Sequence, residues 1–391
     1  MISFKEALRI IESQAFSPDT ETVGLHDSAG RVLARDIYSD TDMPPFNKSA
    51  MDGFACRIED LGDELEIIET VKAGDVPELT VGTGQCTRIM TGGKVPDGAD
   101  CVIMVEHTAD AGKDRIRFTG NDTAVNIAFR GEDLKKDELA LQCGTLIRSQ
   151  HVAVLASAGC DRPVVFVRPR VAVITTGDEI VEPGTIPQGT SIRNSNGAQL
   201  TAQIRSMGAV ADYKGIVKDT PETTASAIRE ALEGSDMVVI TGGVSAGDFD
   251  FVPGAMRSEG VELFFDKVAV KPGRPTVFGR RGDVFVFGLP GNPVSSFTIF
   301  ELMVKPLLYR MMGHTYRPPF LRLPIGTGYS RKKADRVAWV PVILNGEGEV
   351  IPAEYHGSAH IHALTDAFGL MPADPGVFEF KKGERVYVRP V

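Results

Sequence analysis

The chain has 391 residues and a formal net charge of −10 at pH 7, a length that allows about two to four domains with sizeable cores. The acidic total and the lack of a basic run argue against nucleic-acid binding, and no apolar run approaches the length of a membrane span. Five scattered cysteines without a C-x-x-C pattern predict reduced, buried thiols, and an N-terminus without a signal-peptide layout predicts a cytoplasmic location.

The first part of the chain reads as one helix followed by strand-rich sequence. A helix is predicted from Ser3 to about Ser13, because Ser3 and Glu6 have capping-box spacing. Two consecutive prolines then place a boundary near Met43. Apolar runs between glycine-rich turns predict the following strands: Leu65–Val71, Gln85–Met90 and Cys101–Glu106. A second helix is predicted from Ser149 to Ala158, with Ser149 as its N-cap.

From Arg170 onward, strands and helices alternate regularly. Buried strands are predicted at Val171–Ile174, Met237–Ile240, Leu263–Val270 and Val284–Phe287. Helices are predicted at Ser195–Met207, after Thr220 and after Asn292, and Pro306 should bend the last of them. This alternation predicts a doubly wound, mostly parallel sheet. After about Pro318 strands recur without helices, which predicts a small all-β module.

Three loops leave the carboxyl ends of predicted neighbouring strands, at 175–179, 241–250 and 288–293. Such ends meet in one crevice of a doubly wound sheet, so these loops are expected to converge. They carry the carboxylates Asp178, Glu179, Asp248 and Asp250. Clustered carboxylates suit Mg²⁺, while glycine N–H groups and a helix start suit phosphate. The pattern therefore predicts a magnesium and phosphate site, with a solvated acidic loop as the alternative.

Two further features bear on this site. Lys267, Lys271 and Arg274 form a cationic stretch that can hold phosphate or an oxyanion, although lysines also protect exposed strand edges. Asp219 lies just before a predicted helix, where it either binds metal or favours the helix start electrostatically.

Two other patterns fit a functional site less well. Gly243 to Gly247 match the G-x-S-x-G nucleophile elbow, but Asp248-Phe249-Asp250 intervene before Pro253 could open a helix. His360 and His362 would share a face of a strand and could bind metal, but no further ligand stands at a suitable spacing.

Seven motifs follow one another along the chain: Pro44–Ala55, Thr91–Asp100, Arg130–Asp133, Thr176–Glu179, Gly242–Asp250, Lys267–Gly273 and Leu289–Ser295. In this order they resemble the molybdopterin molybdenumtransferases, the molybdate-inserting enzymes of molybdenum-cofactor synthesis, which include the C-terminal domain of gephyrin. The resemblance extends over nearly the whole chain.

The resemblance implies an α/β multidomain subunit in a homodimer. Its parts would be a split elongated dimerisation domain at 1–43 and 137–168, an inserted β-rich domain at 44–136, an α/β molybdopterin-binding domain with the doubly wound sheet at 169–318, and a C-terminal β barrel at 319–391. The inserted domain of the partner subunit would complete the active site.

The resemblance also implies a reaction. Adenylylated molybdopterin and molybdate would be the substrates and Mg²⁺ the cofactor; the phosphoanhydride would break, AMP would leave and molybdenum would remain on the dithiolene. The positions implied in activity are Asp52, Thr91, Glu179, Asp219, Asp250, Lys267 and Lys271, of which Glu179, Asp219 and Asp250 would bind the metal. The positions implied in substrate binding are Gly242, Gly243, Ser245, Gly247, Asp248, Arg274, Pro290, Gly291, Asn292 and Pro293.

Two alternatives stay open at this point. The first is the adenylyltransferase of the preceding step, which would consume ATP and would not need the two β regions; it is also an expected partner. The second is a non-catalytic dimeric scaffold, against which the intact carboxylates and lysines argue.

Overall fold

A computed structural model describes residues 1–245, 251–354, 357 and 359–391. The chain forms two compact units, the first made of Met1–Glu21, Gly30–Ala34 and Val165–Val391 and the second of Thr22–Ala29 and Arg35–Val164. The four domain boundaries implied by the sequence stay a prediction. Among the described residues, none of the helices combines the length and the apolar character that crossing a membrane requires.

Most of the α-helices begin where capping residues and prolines predict. They are α1 (Phe4–Ser13), α2 (Ser149–Ser157), α3 (Ser195–Ser206), α4 (Pro221–Gly234), α5 (Val252–Ser258), α6 (Pro293–Ile299) and α7 (Lys305–Met311). At the start of α1 the Ser3 hydroxyl accepts a hydrogen bond from the Glu6 N–H at 3.1 Å. The predicted cap of α2 is wrong by one residue: Arg148 is the N-cap, and its N–H donates to Nδ1 of His151 at 3.1 Å.

The first unit contains the predicted doubly wound sheet. Its strands lie in the order Val210–Val217, Arg170–Thr176, Met237–Thr241, Val284–Leu289, Val277–Arg281 and Glu262–Phe265. The first four run parallel and the last two form an antiparallel edge. The mostly parallel sheet is therefore confirmed, and its carboxyl edge is where a ligand crevice is expected.

The strands of this sheet are apolar on both faces because helices cover both. Ala172, Ile174, Val238 and Ile240 pack with residues of α4 and α5 in one core cluster. Side chains alternate along a strand, so Val173 and Val239 face the opposite side, where α3 and α6 contact the sheet. The completely buried runs of the sequence follow from this double cover.

The predicted strand Leu263–Val270 is wrong as a single element. It divides into Glu262–Phe265, in the parallel sheet, and Val268–Lys271, in a second sheet. That second sheet has the order Ile2–Ser3, Val268–Lys271, Val337–Leu344, Gly369–Ala373, Arg385–Pro390 and Leu321–Pro324, with Val350–Pro352 also paired to Val337–Leu344. The strand-rich C-terminal segment predicted from the sequence is thus confirmed, and it joins the strand that ends at Lys271.

The helix that carries Pro306 is irregular rather than simply bent. A π-helical turn, Phe300–Val304, separates α6 from α7, so that Pro306 lies in the first turn of α7, where its missing N–H is tolerated. Glu301 in this turn is 5 % exposed. One of its carboxylate oxygens lies 2.7 Å from Nζ of Lys305, the other accepts from Gln203 at 2.9 Å, and its carbonyl accepts from Arg389 of the last long strand.

The second unit is built on a six-stranded sheet. Its order is Cys101–Met104, Gly53–Cys56, Gln85–Ile89, Glu64–Val71, Arg115–Phe118 and Thr108–Gly112. Cys56, Cys86 and Cys101 are buried in its core, but Cys143 is exposed and Cys160 is half-buried, so the expectation of buried thiols is wrong for these two.

Shorter elements complete the described part of the chain. The remaining strands are Thr20–Thr22, Ile37–Tyr38, Lys48–Ser49, Ile127–Ala128, Leu139–Leu141, Val164–Phe166, Ile180–Val181, Ile192–Arg193, Tyr329–Ser330 and Glu379–Phe380. The 3₁₀ turns are Leu25–Asp27, Ile58–Asp60, Val105–His107 and Ile361–Leu364.

Candidate functional site

A cavity of about 810 Å³ opens at the carboxyl edge of the parallel sheet. The ends of three parallel strands reach it at Thr176, Thr241 and Pro290. Several predicted site residues line it: Glu179, Asp219, Gly242, Gly243, Ser245, Pro290, Gly291, Asn292 and Pro293. The three loops that the sequence predicts to converge therefore do so in one cavity, which is named the sheet-edge cavity below.

Two of the predicted carboxylates lie in the wall of this cavity. Glu179 is exposed and Asp219 is half-buried. The N–H of Asp219 donates to Oδ1 of Asp178 at 3.3 Å, and this hydrogen bond connects the loop after the strand Arg170–Thr176 to the start of α4. Gly247, Asp248 and Asp250 lie outside the described residues. Within the described ranges no group of three His, Cys, Asp or Glu side chains is arranged to hold a metal ion, so the predicted trio Glu179, Asp219 and Asp250 stays a prediction.

The glycine loop after the third strand of the sheet needs its glycines. Gly242 and Gly243 have φ values of +99° and +58°, in a region that residues other than glycine rarely adopt. A Cβ at Gly242 would lie 2.5 Å from the carbonyl oxygen of Thr176. The loop therefore lies directly on the neighbouring strand end, with its backbone close to the cavity.

Sequence reasoning missed the residues at the start of α3. Asn194 caps that helix, since its Oδ1 accepts from the Gly197 N–H at 2.9 Å, and its Nδ2 donates to the Tyr213 hydroxyl at 2.7 Å. Tyr213 in turn donates to Glu182 at 2.7 Å, and burial, followed by the hydrogen bond to Glu182, raises the pKa of Tyr213. Asn194 and Asn196 both line the cavity. The sequence signal for these residues is the pair of asparagines on either side of Ser195, the predicted start of the helix.

A second cavity of about 790 Å³, named the cationic cavity below, adjoins the first. Its basic lining residues are Lys271, Arg274, Arg331, Lys332, Lys333 and Arg336, with Asp335 as an acidic neighbour. The two cavities share Pro275, Pro290 and Asn292 as lining residues. Cations and carboxylates thus occur in neighbouring cavities separated by a short stretch of wall.

The three predicted cations do not all reach this cavity. Lys271 ends the strand that pairs with the C-terminal sheet, opposite Ala338, and it is exposed. Arg274 follows Gly273, whose φ of +107° fits the tight turn there. Lys267 is half-buried and, within the described part of the chain, lies outside the lining of both cavities; its carbonyl accepts from the Ile2 N–H at 3.0 Å.

Asp52 and Thr91 lie together in the second unit. Oδ1 of Asp52 accepts from the N–H of Thr91 at 2.6 Å and from its hydroxyl at 2.7 Å. The backbone hydrogen bond, followed by the one from the side chain, lowers the pKa of Asp52. These two predicted residues thus form one hydrogen-bonded pair that favours the ionised form of Asp52.

The two less favoured patterns gain no support. Ser245 is exposed, and α5 begins only at Val252, so a helix does not follow the serine directly as in a nucleophile elbow. The idea of a strand that carries His360 and His362 is wrong, because His362 lies in the 3₁₀ turn Ile361–Leu364 and His360 precedes it.

Comparisons with known proteins match the chain along its length. Three family models fit: the MoeA N-terminal region (domain I and II) at residues 2–159, the probable molybdopterin binding domain at 172–310, and the MoeA C-terminal region (domain IV) at 327–391.

Similar proteins cover nearly the whole chain. A molybdopterin molybdenumtransferase of Staphylococcus epidermidis is 35 % identical over 400 residues, which covers 99 % of this chain and 95 % of that protein. A protein of the same name from Staphylococcus aureus is 34 % identical, covering 98 % and 94 %. The crystal structure of the molybdopterin biosynthesis MoeA protein from Pyrococcus horikoshii OT3 is 30 % identical and covers both chains completely, with a TM-score of 0.86.

Proposed function

Because this chain belongs to the MoeA family of molybdopterin molybdenumtransferases, we propose that it inserts molybdenum from molybdate into adenylylated molybdopterin with the help of Mg²⁺ and releases AMP. Molybdenum insertion into molybdopterin is the activity of the enzymes to which it is related. The adenylylated form of the substrate, the magnesium ion and the AMP product are the finer parts of the proposal.

The observation that carries the proposal is the pair of adjoining cavities. The sheet-edge cavity has two carboxylates and a glycine loop, and the cationic cavity has six basic side chains. A phosphoanhydride and a metal oxyanion must meet in this reaction, and both are anions. Two neighbouring cavities of different charge allow one reactant to bind beside the other without sharing its ligands.

Mg²⁺ fits the sheet-edge cavity as a shared ion. In proteins Mg²⁺ usually keeps several waters and is held by one or two carboxylates together with phosphates of the substrate. Glu179 and Asp219 would supply the carboxylates, with Asp250 as a further proposed ligand. When bound, the ion would neutralise charge that develops on the leaving phosphate.

The chain itself would bind and orient both reactants. The N–H of Gly242 already donates to the carbonyl of Leu289 at 3.1 Å. The backbone N–H of Gly243, with Ser245, Gly247 and Asp248, would therefore hold the phosphate region of the substrate, and Gly242 would let the loop approach it closely. The turn from Pro290 to Pro293 would shape the rest of that binding surface. Lys271 and Arg274 would hold the oxyanion by charge-assisted hydrogen bonds, and Lys267 would support their strand.

The remaining proposals concern assembly and place. We propose a cytoplasmic homodimer in which Asp52 and Thr91 of one subunit complete the active site of the other. The adenylyltransferase of the preceding step is the proposed supplier of the substrate.

The decisive experiment is a turnover assay under anaerobic conditions. The purified chain is given adenylylated molybdopterin, Mg²⁺ and either molybdate or tungstate, and AMP and the metallated product are measured. Release of AMP that requires both the oxyanion and Mg²⁺ supports the proposal. Consumption of ATP with free molybdopterin would favour the adenylyltransferase instead, and a dimer without any turnover would favour a scaffold.

The carboxylate assignment predicts a loss of turnover for Glu179→Gln. Removing one group that stabilises developing charge costs on the order of 10²-fold in turnover, and the AMP-release assay measures it. Glu222→Gln, an exposed acid in the first turn of α4, serves as the control and should keep wild-type turnover. Equal rates for both variants would remove Glu179 from the site.

A further inference from the structure

Asn196, in the first turn of α3, uses the nitrogen of its side-chain amide for hydrogen bonds, whereas the amide oxygen has no partner in the part of the chain that the structure describes. Its Nδ2 donates to Oγ1 of Thr241 at 2.9 Å and to the carbonyl of Gly291 at 2.8 Å. Its Oδ1 is buried and has no hydrogen-bond partner among the described residues. The residue is 8 % exposed and lines the sheet-edge cavity.

The orientation of this amide is determined by its neighbours. The carbonyl of Gly291 can only accept a hydrogen bond, so the atom beside it must be the NH₂ group. Both protons of that group are used, and the oxygen that remains can only accept. Asn196 therefore joins the two loops after neighbouring strands through its nitrogen and keeps its oxygen available for a donor.

Thr176 provides a second buried polar atom without a partner in the same wall. The residue is 5 % exposed, lines the cavity, and its hydroxyl has no partner among the described residues. The hydroxyl lies under the glycine loop, since Cβ atoms built at Gly242 and Gly243 would be 2.7 and 3.1 Å from it.

Buried polar groups in native proteins are nearly always paired, because leaving one unpaired costs free energy. Two such atoms in the wall of one cavity are positions where a bound ligand would find unused hydrogen-bonding groups. An acceptor such as Oδ1 of Asn196 repels phosphate oxygens, so the group it receives is an N–H or O–H donor, and in an adenylylated pterin such donors are neutral. Both atoms are closed off from bulk water, so the hydrogen bonds form as the ligand and the glycine loop adjust to each other.

We propose that Asn196 Oδ1 and the Thr176 hydroxyl recognise a neutral, hydrogen-bonding part of the substrate, either an N–H group of the pterin or a hydroxyl of the ribose. The proposal rests on the proposed function, because it takes adenylylated molybdopterin as the ligand. It leaves the phosphates of the substrate to the glycine loop and assigns the neighbouring neutral group to Asn196 and Thr176.

Thr176→Val gives the sharpest test, because valine keeps the shape of threonine and the lost hydroxyl makes no hydrogen bond to any residue that the structure describes. The melting temperature should stay the same or rise, while affinity for adenylylated molybdopterin falls by about five- to tenfold, the effect of one hydrogen bond. Asn196→Ala should lower affinity at least as much. Isothermal titration calorimetry on the full-length protein measures both.

Three probes identify the source of the donor: adenylylated molybdopterin, molybdopterin and AMP. Weaker binding of molybdopterin with unchanged AMP binding assigns the donor to the pterin, and the reverse assigns it to the ribose. Wild-type affinity of Thr176→Val and of Asn196→Ala for all three probes would overturn the proposal. Turnover by the wild-type protein is measured separately. If the wild-type protein binds the substrate but does not convert it, the proposed function is contradicted, and the affinities of the variants still decide the present proposal.

Discussion

One carboxylate oxygen of Asp52 receives two hydrogen bonds from Thr91, which lies 39 positions away in the sequence. Both donors favour the ionised form, and together they keep the pKa of Asp52 below that of an ordinary aspartate. A depressed carboxyl pKa stabilises the folded state at pH values above the ordinary pKa. That contribution is lost as the pH falls through the lower, folded-state pKa.

Thr91→Val should raise the pKa of Asp52 without returning it to the ordinary value. Valine removes the hydroxyl but keeps the backbone N–H, which is the larger cause of the shift. The stabilisation should therefore disappear at a higher pH than in the wild-type protein. Carboxyl ¹³C chemical shifts followed through a pH titration measure the change. The pKa of Asp42, which the N–H of Lys136 and the side chain of Arg130 lower, should stay the same.

Lys271→Met should raise KM for molybdate more than it weakens the binding of adenylylated molybdopterin. Methionine keeps much of the length of lysine and removes the charge that faces the cationic cavity. A hydrogen bond to a charged group contributes enough that KM for molybdate should rise roughly tenfold or more. AMP release as a function of molybdate concentration measures it, with the exposed Lys113→Met as the control. A changed affinity for adenylylated molybdopterin with an unchanged KM for molybdate would contradict the assignment.

At the scale of single elements, the sequence predicts what depends on local signals. Glycines and carboxylates directly after apolar strands predict that Glu179 and the Gly242–Gly243 loop lie close together, and the structure has both in the lining of one cavity. The break within Leu263–Val270 could not be predicted, because its second half pairs with Ile2–Ser3 and Val337–Leu344, which are far away in the sequence. The role of Asn196 depends in the same way on Thr241 and Gly291, which no local pattern links to it.

The π-helical turn before α7 contains one residue of a buried ion pair, and the stability of the protein should be sensitive to the loss of that pair. Glu301 is buried there between Lys305 and Gln203, and its backbone carbonyl receives Arg389. Glu301→Ala would leave the largely buried Lys305 without its counter-charge, so the free energy of unfolding should fall by about 3 kcal/mol.

Urea unfolding followed by the fluorescence of Trp339 tests this, since the single tryptophan is 6 % exposed in the first unit. Glu230→Ala on the exposed face of α4 should change the stability by about 0.5 kcal/mol or less. Similar losses in the two variants would show that the buried ion pair contributes little.

At the scale of the whole molecule, the proposed dimer predicts complementation between inactive variants. Asp52→Ala and Glu179→Gln should each be nearly inactive alone. If the partner subunit supplies Asp52, a mixed dimer contains one active site with both defects and one with neither. Co-expression with two different affinity tags and purification through both should therefore restore about half of the wild-type AMP release. No recovery in mixed dimers would mean that both residues act within one subunit.

The strand that ends at Lys271 pairs with Ile2–Ser3 on one side and with Val337–Leu344 on the other. During translation the first of these neighbours leaves the ribosome early, but the second emerges only after the parallel sheet has been made. A nascent chain thus has the residues of the parallel sheet before it has all the residues of the cationic cavity, which include Arg331 and Arg336. If the oxyanion binds in that cavity, as proposed above, only a chain that has grown past these residues can capture it.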